Sequence, residues 1–264
     1  MNTDNKAQPS SDVKTHNYLV DKQFGSQAEM YLTSSVHAFG QEFANVEELV
    51  QQFKSPHVLD LGSGAGHISF YSAPFAQQVT AYDLSEEMLK VVADSAREKG
   101  LDNIITVKGI AESLPFPDSH FDIVISRFSA HHWQDVPRAL REIRRVCKPT
   151  GKVMMIDIMA PPSPLCDTFL QTIEVLRDNS HVRDYSNSEW QQMFGYAGFR
   201  VSQTQIHKLE LEFNSWITRM RTPTHYVTAI RELQQNIGHE VKNYYAIQVD
   251  GTFTTDVLTL IANV

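Results

Sequence analysis

Short apolar runs alternate with amphipathic segments along most of the chain. The apolar runs are rich in valine and isoleucine, which favour strands, and they occur at HVLDL (57–61), QVTAYD (78–83), NIITVK (103–108), FDIVIS (121–126) and KVMMIDIM (152–159). A turn or a helix-like segment separates each run from the next. Strands that alternate with helices in this way predict an α/β fold, in which a parallel sheet is covered by helices.

Three segments carry apolar side chains at the three- and four-residue spacing that is typical of amphipathic helices. They are residues 85–100, 135–148 and 188–198. In the last of them, Ser188 and Gln191 have the spacing of a capping box, which predicts the start of that helix. We expect all three helices to pack their apolar faces against the sheet.

Two further segments break the alternation. Residues 160–187 and 213–250 are expected to be helical insertions between the late strands, where a lid or a substrate-shaping layer commonly lies. Residues 252–264 form a last strand-like run. Residues 1–17 are polar and are expected to form a disordered tail, which leaves 18–264 as a single domain.

Composition narrows the classes of function. The chain of 264 residues has 23 Lys and Arg against 31 Asp and Glu, a net charge of −8, which disfavours nucleic acid as a partner. Cys147 and Cys166 are the only cysteines, too few for a disulfide framework, which favours a reducing compartment. No apolar run approaches the roughly 18 residues of a membrane helix, and the N-terminus has no signal-peptide core. We therefore expect a cytoplasmic protein that acts on small molecules.

The stretch VLDLGSGAG (58–66) joins the first predicted strand to a tight turn that contains Gly62, Gly64 and Gly66. A strand, a glycine turn and a helix in this order bring backbone N–H groups and a helix N-terminus together, which suits an anionic or strongly polar ligand. The spacing G-x-G-x-G is one residue shorter than the dinucleotide fingerprint G-x-G-x-x-G, which argues against NAD. A flexible turn without a ligand is the alternative interpretation of these glycines.

Two aspartates flank this turn. Asp83 ends the second predicted strand, where its carboxylate can accept both hydroxyl hydrogens of a ribose. The alternative for Asp83 is a turn-forming role ahead of Ser85. Asp60 precedes the glycines, and it either meets a ligand ammonium group or makes the loop rigid, two roles that are compatible.

Four motifs occur in the order and spacing of the class I S-adenosylmethionine-dependent methyltransferases: VLDLGSGAG, AYDLS, GIAESLPFPDSHFDIVISRFSAHHW (109–133) and LREIRRVCKPTGKVMMID (140–157). The chain resembles this family over about residues 20–210, and most closely its ubiquinone/menaquinone C-methyltransferase group. The resemblance implies a Rossmann-like, doubly wound sheet of seven strands, mostly parallel, with order 3-2-1-4-5-7-6. The last strand is expected to be antiparallel and to come from residues 252–264.

The resemblance also implies S-adenosylmethionine as cofactor and a role for individual residues. The glycine loop is expected to hold the methionine part of the cofactor, Asp83 its ribose, and Leu84 and Met88 the faces of its adenine. Relatives often have Asp where this chain has Ile110, so packing on the adenine ring replaces a polar contact there. The full set of cofactor-binding candidates is Tyr31, Asp60, Gly62, Gly64, Gly66, Asp83, Leu84, Met88, Ala111, Glu112 and Arg127.

A lid is also implied by the resemblance. The segment FGSQAEMY (24–31) is similar to the family's N-terminal lid, so Phe24 and Tyr31 either close over the cofactor or only pack within a helix.

The cofactor carries its own leaving group, so methyl transfer is expected to be an in-line displacement that alignment promotes. A base is useful only where the acceptor must lose a proton. His131 and His132 follow the fourth predicted strand and are the candidate catalytic bases, unless they only shape the pocket. Trp133 is expected either to wall that pocket or to pack. Neither histidine has a partner at ligand spacing along the chain, so no metal is expected.

Three arginines in the insertions, Arg183, Arg219 and Arg221, are candidates for binding the acceptor. Arginine binds carboxylates and phosphates bidentately, which suggests an acidic small molecule, whereas ion pairs with the protein's own acids are the alternative. The sequence thus favours a methyltransferase for a small molecule. A non-catalytic cofactor-binding protein of the same fold and a nicotinamide-dependent oxidoreductase are the alternatives.

Overall fold

The computed structural model of the protein describes residues 14–25, 40 and 42–264. Its seven strands are β1 (His57–Leu61), β2 (Gln78–Asp83), β3 (Ile104–Lys108), β4 (Phe121–Arg127), β5 (Cys147–Met159), β6 (Arg200–Leu211) and β7 (Phe253–Asn263). They form one sheet of order β3-β2-β1-β4-β5-β7-β6. The strands β1 to β5 are parallel, and β7 is antiparallel to both of its neighbours. The expected sheet order and the antiparallel last strand are confirmed.

The described helices are α1 (His16–Gly25), α2 (Glu42–Gln51), α3 (His67–Ser72), α4 (Glu86–Glu98), α5 (Val136–Val146), α6 (Pro164–Arg177), α7 (Asn187–Tyr196), α8 (Phe213–Arg219), α9 (Thr224–Asn236) and α10 (His239–Tyr244). Single 3₁₀ turns cover Ala73–Phe75 and Ala130–His132. Among the residues that the structure describes, no helix has the length and apolarity needed to cross a membrane.

The inner strands of the sheet are buried on both faces, which explains why runs such as those of β1 and β4 are apolar without alternation, whereas the edge strands β3 and β6 are largely exposed. In β1, Leu59 belongs to the apolar core beneath α5 and α7, whereas Val58 belongs to the core beneath α2 and α3. The β4 residues Val124 and Ile123 divide in the same way. Because successive side chains point to opposite faces, each strand contributes to both cores.

The two insertions are helical, as expected. Helix α6 lies in the first insertion, and α8, α9 and α10 lie in the second. Together they form a third apolar core, built around Phe169, Trp216 and Tyr245 beside the start of β7. This separate core holds the insertions on the sheet near the carboxyl ends of its parallel strands.

Two local expectations are wrong. The expected disordered tail (1–17) overlaps α1, which begins at His16; residues 1–13 lie outside the described residues. The capping box of α7 is formed by Ser186 and Glu189, not by Ser188 and Gln191. Glu189 offers a charged acceptor for the N–H of Ser186, at 2.8 Å, and an ionised acceptor forms the stronger hydrogen bond.

Candidate functional site

A cleft opens at the carboxyl ends of β1, β2 and β4. The strand order changes direction between β1 and β4, so the cleft lies at this point of the sheet. This is where open α/β sheets bind their ligands. The cleft offers about 1070 Å³ with its open mouth included, enough for a small organic ligand. The cofactor-binding candidates that line it are Asp60, Gly62, Gly64, Asp83, Leu84, Met88, Ala111, Glu112 and Arg127.

Two of the cofactor-binding candidates are not among the lining residues. Gly66 closes the turn from behind, where its N–H donates to the carbonyl of Ser63 at 2.9 Å. Gly66 has a φ of +87° and a methyl group there would lie 2.9 Å from Val92, so the position requires glycine for packing. Tyr31 lies outside the described residues.

The glycine loop is tied to the end of β2. The N–H groups of Gly62 and Ser63 both donate to the carbonyl of Tyr82, at 2.8 and 3.1 Å. Gly62 has a φ of +73°, and a methyl group on it would collide with the hydroxyl of Ser129. Backbone therefore forms this wall of the cleft, and the wall has little freedom to move.

Asp83 has the turn-forming role that its sequence position suggests, and its place in the cleft is compatible with the ribose-binding role. Its carboxylate oxygens accept from the N–H groups of Gly64 and Ser85, each at 2.8 Å, which is the turn-forming role. Asp83 also lines the cleft, and each carboxylate oxygen has a second lone pair for a ligand hydroxyl. Burial raises the pKa of Asp83 above its usual value.

Asp60 and Arg127 form the floor of the cleft. Asp60 is buried and accepts from the hydroxyl of Ser69 at 2.6 Å, and burial raises the pKa of Asp60 to about 7. Arg127 forms a buried ion pair with Glu42 at 2.6 Å. Because Glu42 balances its charge, Arg127 has a structural task whether or not it touches a ligand.

The opposite side of the cleft is more apolar. Leu84, Met88, Ile110 and Ala111 lie there, at the ends of β2 and β3. Glu112 closes this side and also fixes the loop after β4, because one of its carboxylate oxygens accepts from the N–H of Gln134 at 2.9 Å. These side chains leave a slot between an apolar wall and the glycine loop.

Helix α1 lies over the cleft. Asn17, Val20 and Phe24 line it, and only Phe24 was signalled by the sequence. The Phe24 ring meets the His132 ring edge-on with 4.9 Å between centroids. The short, weakly amphipathic helix gives no local signal for Asn17 or Val20, since its partners lie far along the chain, as Gln134 does for Asn17 and Met88 for Phe24.

The two histidines have different protonation states. His131 Nδ1 lies 2.6 Å from a carboxylate oxygen of Asp157. Burial alone would lower the pKa of His131, but the charge and hydrogen bond of Asp157 outweigh it and raise that pKa to about 9. For His132, burial and the neighbouring charge of His131 lower the pKa to about 4. At neutral pH His131 is charged and His132 is neutral.

The tautomer of His132 follows from its partner. Its Nδ1 lies 3.0 Å from the carbonyl oxygen of Ser180, which can only accept, so Nδ1 carries the hydrogen. Nε2 is left with its lone pair. His132 lines the cleft, whereas His131 lines only a second cavity beside it.

The second cavity shares Phe24, Phe128 and His132 with the cleft. Three acidic residues of the first insertion line it, namely Glu174, Asp178 and Asp184. Sequence spacing gave no sign of this acidic group, because α6 and the loop after it reach His131 only through folding. The absence of ligand spacing along the chain therefore did not exclude carboxylates that folding brings to the histidines.

Among the residues that the structure describes, one group of possible metal ligands occurs, and it also lies here. One ligand atom each from His131, Asp157 and Asp184 lie within 4.8 Å of one another. The hydrogen bond between His131 and Asp157 accounts for the closeness of those two residues without an ion.

The structure does not gather the three arginines at one site. Arg183 lines neither cavity and forms ion pairs with Asp167 and Glu189 at 3.1 and 3.2 Å, the alternative interpretation. Arg219 lines the second cavity, and Arg221 is exposed and lines neither. Trp133 both lines the cleft and packs in the core, with its Nε1 donating to Ser129 at 3.1 Å.

Comparison with known proteins agrees with this fold. Residues 59–155 match the family described as Methyltransferase domain. YafE, an uncharacterized protein of Escherichia coli (strain K12), is 50% identical over 202 residues, which are 76% of this chain and 98% of YafE. The chain belongs to the class I S-adenosylmethionine-dependent methyltransferases.

Two further relatives describe its place in that family. The crystal structure of YcgJ from Bacillus subtilis has a TM-score of 0.81 at 33% identity and covers 84% of this chain and 97% of YcgJ. UbiE of Shewanella frigidimarina (strain NCIMB 400), a ubiquinone/menaquinone biosynthesis C-methyltransferase, is 38% identical over 115 residues, which are 41% of this chain and 45% of UbiE. The family and the fold thus support methylation with S-adenosylmethionine and leave the nicotinamide alternative without support.

Proposed function

We propose that the protein transfers the methyl group of S-adenosylmethionine to a small-molecule acceptor by in-line displacement. The observation that carries the proposal is the hydrogen bond from Gly64 to Asp83, which joins the glycine loop and the strand-end carboxylate on one side of the cleft. A methyl group at Gly64 would meet no atom within 4 Å, so the loop leaves space for a ligand.

Each part of the cleft suits one part of the cofactor. The backbone at Gly62 and Gly64 would bind the methionine portion and Asp83 the ribose hydroxyls. The apolar wall, with Leu84 and Met88, would contact the adenine. Asp60, whose pKa burial raises to about 7, would face the ammonium group, and that positive charge would favour its ionised form.

When bound, S-adenosylmethionine supplies an electrophilic methyl carbon on a sulfonium whose leaving group is a neutral thioether. The protein's task is alignment of the acceptor with that carbon and exclusion of water. His132 is the better placed of the two candidate bases, because it is neutral at pH 7 and lines both the cleft and the second cavity. Burial, and after it the charge of His131, keeps His132 neutral.

Calorimetric titration tests the first half of the proposal. We expect S-adenosylmethionine and S-adenosylhomocysteine to bind to one site per chain, and NAD to bind to none. Incubation of the protein with labelled S-adenosylmethionine and fractionated metabolites tests the second half, since transfer would label a small molecule. Binding without transfer to any fraction would favour the non-catalytic alternative, and no binding of either nucleoside would reject the proposal.

A further inference from the structure

The second cavity contacts the proposed cofactor cleft directly. Phe24, Phe128 and His132 each line both spaces, so these three side chains form the boundary between them. A molecule in the second cavity would therefore lie against the cofactor cleft. The cavity is enclosed on its other sides by α6, by β6 and by α8, all from the insertions or the strands next to them.

Most of the cavity wall is apolar. Ile158, Leu209, Leu211, Trp216 and Met220 line it together with the two boundary phenylalanines. Such a wall suits an apolar or aromatic ligand body, which gains free energy when it leaves water.

The opposite end holds two acceptor atoms that face each other. Nε2 of His132 lies 4.0 Å from an oxygen of Asp178, and that Nε2 bears no hydrogen because Nδ1 holds it for Ser180. The other oxygen of Asp178 accepts from both the N–H and the hydroxyl of Ser180, at 2.9 and 2.7 Å. The Asp178 oxygen that faces His132 has no hydrogen-bond partner among the described residues.

An unpartnered carboxylate oxygen is costly here. Asp178 is only 3% exposed and lines the cavity, and a buried acceptor without a donor has lost its hydrogen bonds to water without replacing them. At this end of the cavity the Asp178 oxygen faces the lone pair of His132 and no donor, so a ligand that supplies a donor here would relieve the cost.

The cationic side chains of the cavity do not reverse this preference. Arg177 is engaged, because it pairs with Glu174 at 3.3 Å, donates to the carbonyl of Trp216 at 3.0 Å and stacks over the Trp216 ring. Arg219 also lines the cavity, and it is the side chain through which an acidic acceptor would be held. A variant at Arg219 therefore tests whether the cavity binds an acidic acceptor instead.

We infer that the second cavity is the acceptor subsite and that it selects an apolar molecule with a hydrogen-bond donor, a hydroxyl or an amino group, placed between Asp178 and His132. This inference rests on the proposed function, and it replaces the acidic acceptor suggested by the sequence. A carboxylate in the same place would meet the Asp178 oxygen and the His132 lone pair, neither of which can donate to it.

Four probes with one aromatic skeleton test the subsite: 2-phenylethanol, 2-phenylethylamine, 3-phenylpropionate and ethylbenzene. Each is titrated by ligand-observed NMR into the full chain saturated with S-adenosylhomocysteine. We expect the alcohol or the amine to bind about tenfold more tightly than the carboxylate and the hydrocarbon. Which of the two donors binds more tightly distinguishes a hydroxyl from an amino acceptor.

One variant and one control test whether Asp178 recognises the donor group of the probes. Asp178→Asn keeps an oxygen for Ser180 and turns an amide N–H₂ toward the cavity, so it should weaken the donor probes about tenfold and leave S-adenosylhomocysteine affinity unchanged. Asp167→Asn changes an acid of helix α6, just before Asp178 in the chain, that pairs with Arg183 and lines neither cavity, and it should change neither affinity. A crystal structure of the wild-type ternary complex gives the probe position independently, should Asp178→Asn unfold the chain.

Several outcomes would overturn the inference. Equal binding of all four probes would do so, as would binding of none. Preference for 3-phenylpropionate that disappears in Arg219→Gln would establish the acidic acceptor instead. Thermal stabilisation by Zn²⁺ or Mn²⁺ that Asp178→Asn abolishes would mean that a cation completes the carboxylates. If S-adenosylhomocysteine itself does not bind, the proposed function falls; if it binds and the probes do not discriminate, only the subsite falls.

Discussion

The backbone N–H of Gly64 donates to the carboxylate of Asp83 at 2.8 Å, and this single contact joins the glycine-loop motif to the acidic strand end. It links the end of β2 to the turn after β1. Asp83 therefore holds the loop in the shape that a ligand would meet, in addition to any contact of its own with that ligand. Variants at Asp83 should act on both loop geometry and binding.

Replacement of Asp83 with alanine should weaken S-adenosylhomocysteine binding about ten- to hundredfold, because the ribose contact and the loop support are lost together. The same variant should lose about 1–3 kcal/mol of unfolding free energy, since the N–H groups of Gly64 and Ser85 lose their acceptor. Calorimetry and urea unfolding measure the two effects. Glu86→Ala removes an exposed acid nearby and is the control; equal affinity in both variants would place the ribose elsewhere.

Alanine at Gly62 and at Gly64 should have different effects. Both residues have positive φ, +73° and +50°, which costs a non-glycine residue about 1–2 kcal/mol. At Gly62 the new methyl group also collides with Ser129, so Gly62→Ala should be the less stable variant by thermal unfolding. Gly64→Ala should fold but bind the nucleoside more weakly, since its methyl group enters the open cleft. Comparable unfolding temperatures would show that the Ser129 contact yields easily.

Loss of Glu42 should destabilise the fold. Its ion pair with Arg127 is buried, with side-chain exposures of 2% and 4%, so Glu42→Gln leaves a buried guanidinium without its balancing charge. Such losses cost about 3–5 kcal/mol in urea unfolding. The exposed pair of Asp94 and Arg97 is the control, and Asp94→Asn should change stability by less than about 1 kcal/mol. Similar losses in the two variants would contradict the burial of the Glu42 pair.

The pair of His131 and Asp157 should make stability depend on pH. The folded pKa of His131, about 9, lies above the ordinary value of 6.5, so its contribution is complete below pH 6.5 and is lost as pH rises through 9. The full difference is about 3 kcal/mol. Urea unfolding between pH 6 and 9 measures it. Asp157→Asn removes the carboxylate that raises the pKa and should flatten the profile; parallel profiles would mean that another group carries the dependence.

The sequence predicts best what is local or shared with relatives. The apolar runs place the parallel strands within a few residues, and Ser85 caps α4 as its position suggests. The position of β7 between β5 and β6 has no local signal, because it depends on pairing between segments far apart in the chain. It followed only from the resemblance.

The chemistry of the second cavity was beyond sequence reasoning for the same reason. His131 and His132 are indistinguishable as neighbours in the chain. In the structure Asp157 raises the pKa of His131, and the carbonyl of Ser180 fixes the tautomer of His132. Burial and distant partners decide their protonation, and neither can be read from spacing. Asp178 and Asp184, in the loop after α6, also carry no sequence signal of a site, because polar residues in a loop are usually solvated.

The place of β7 has a consequence for biosynthesis. In the described structure β6 pairs with β7, and the helices α8 to α10 lie between these two strands in the chain. During translation β6 therefore leaves the ribosome well before β7 has been synthesised. Until residues 253–263 follow, β6 has no ladder to join and the edge of β5 stays open. Nascent chains halted in that interval would expose unpaired backbone groups along β6 and along the apolar edge strand β5, a state prone to aggregation and a natural client for chaperones.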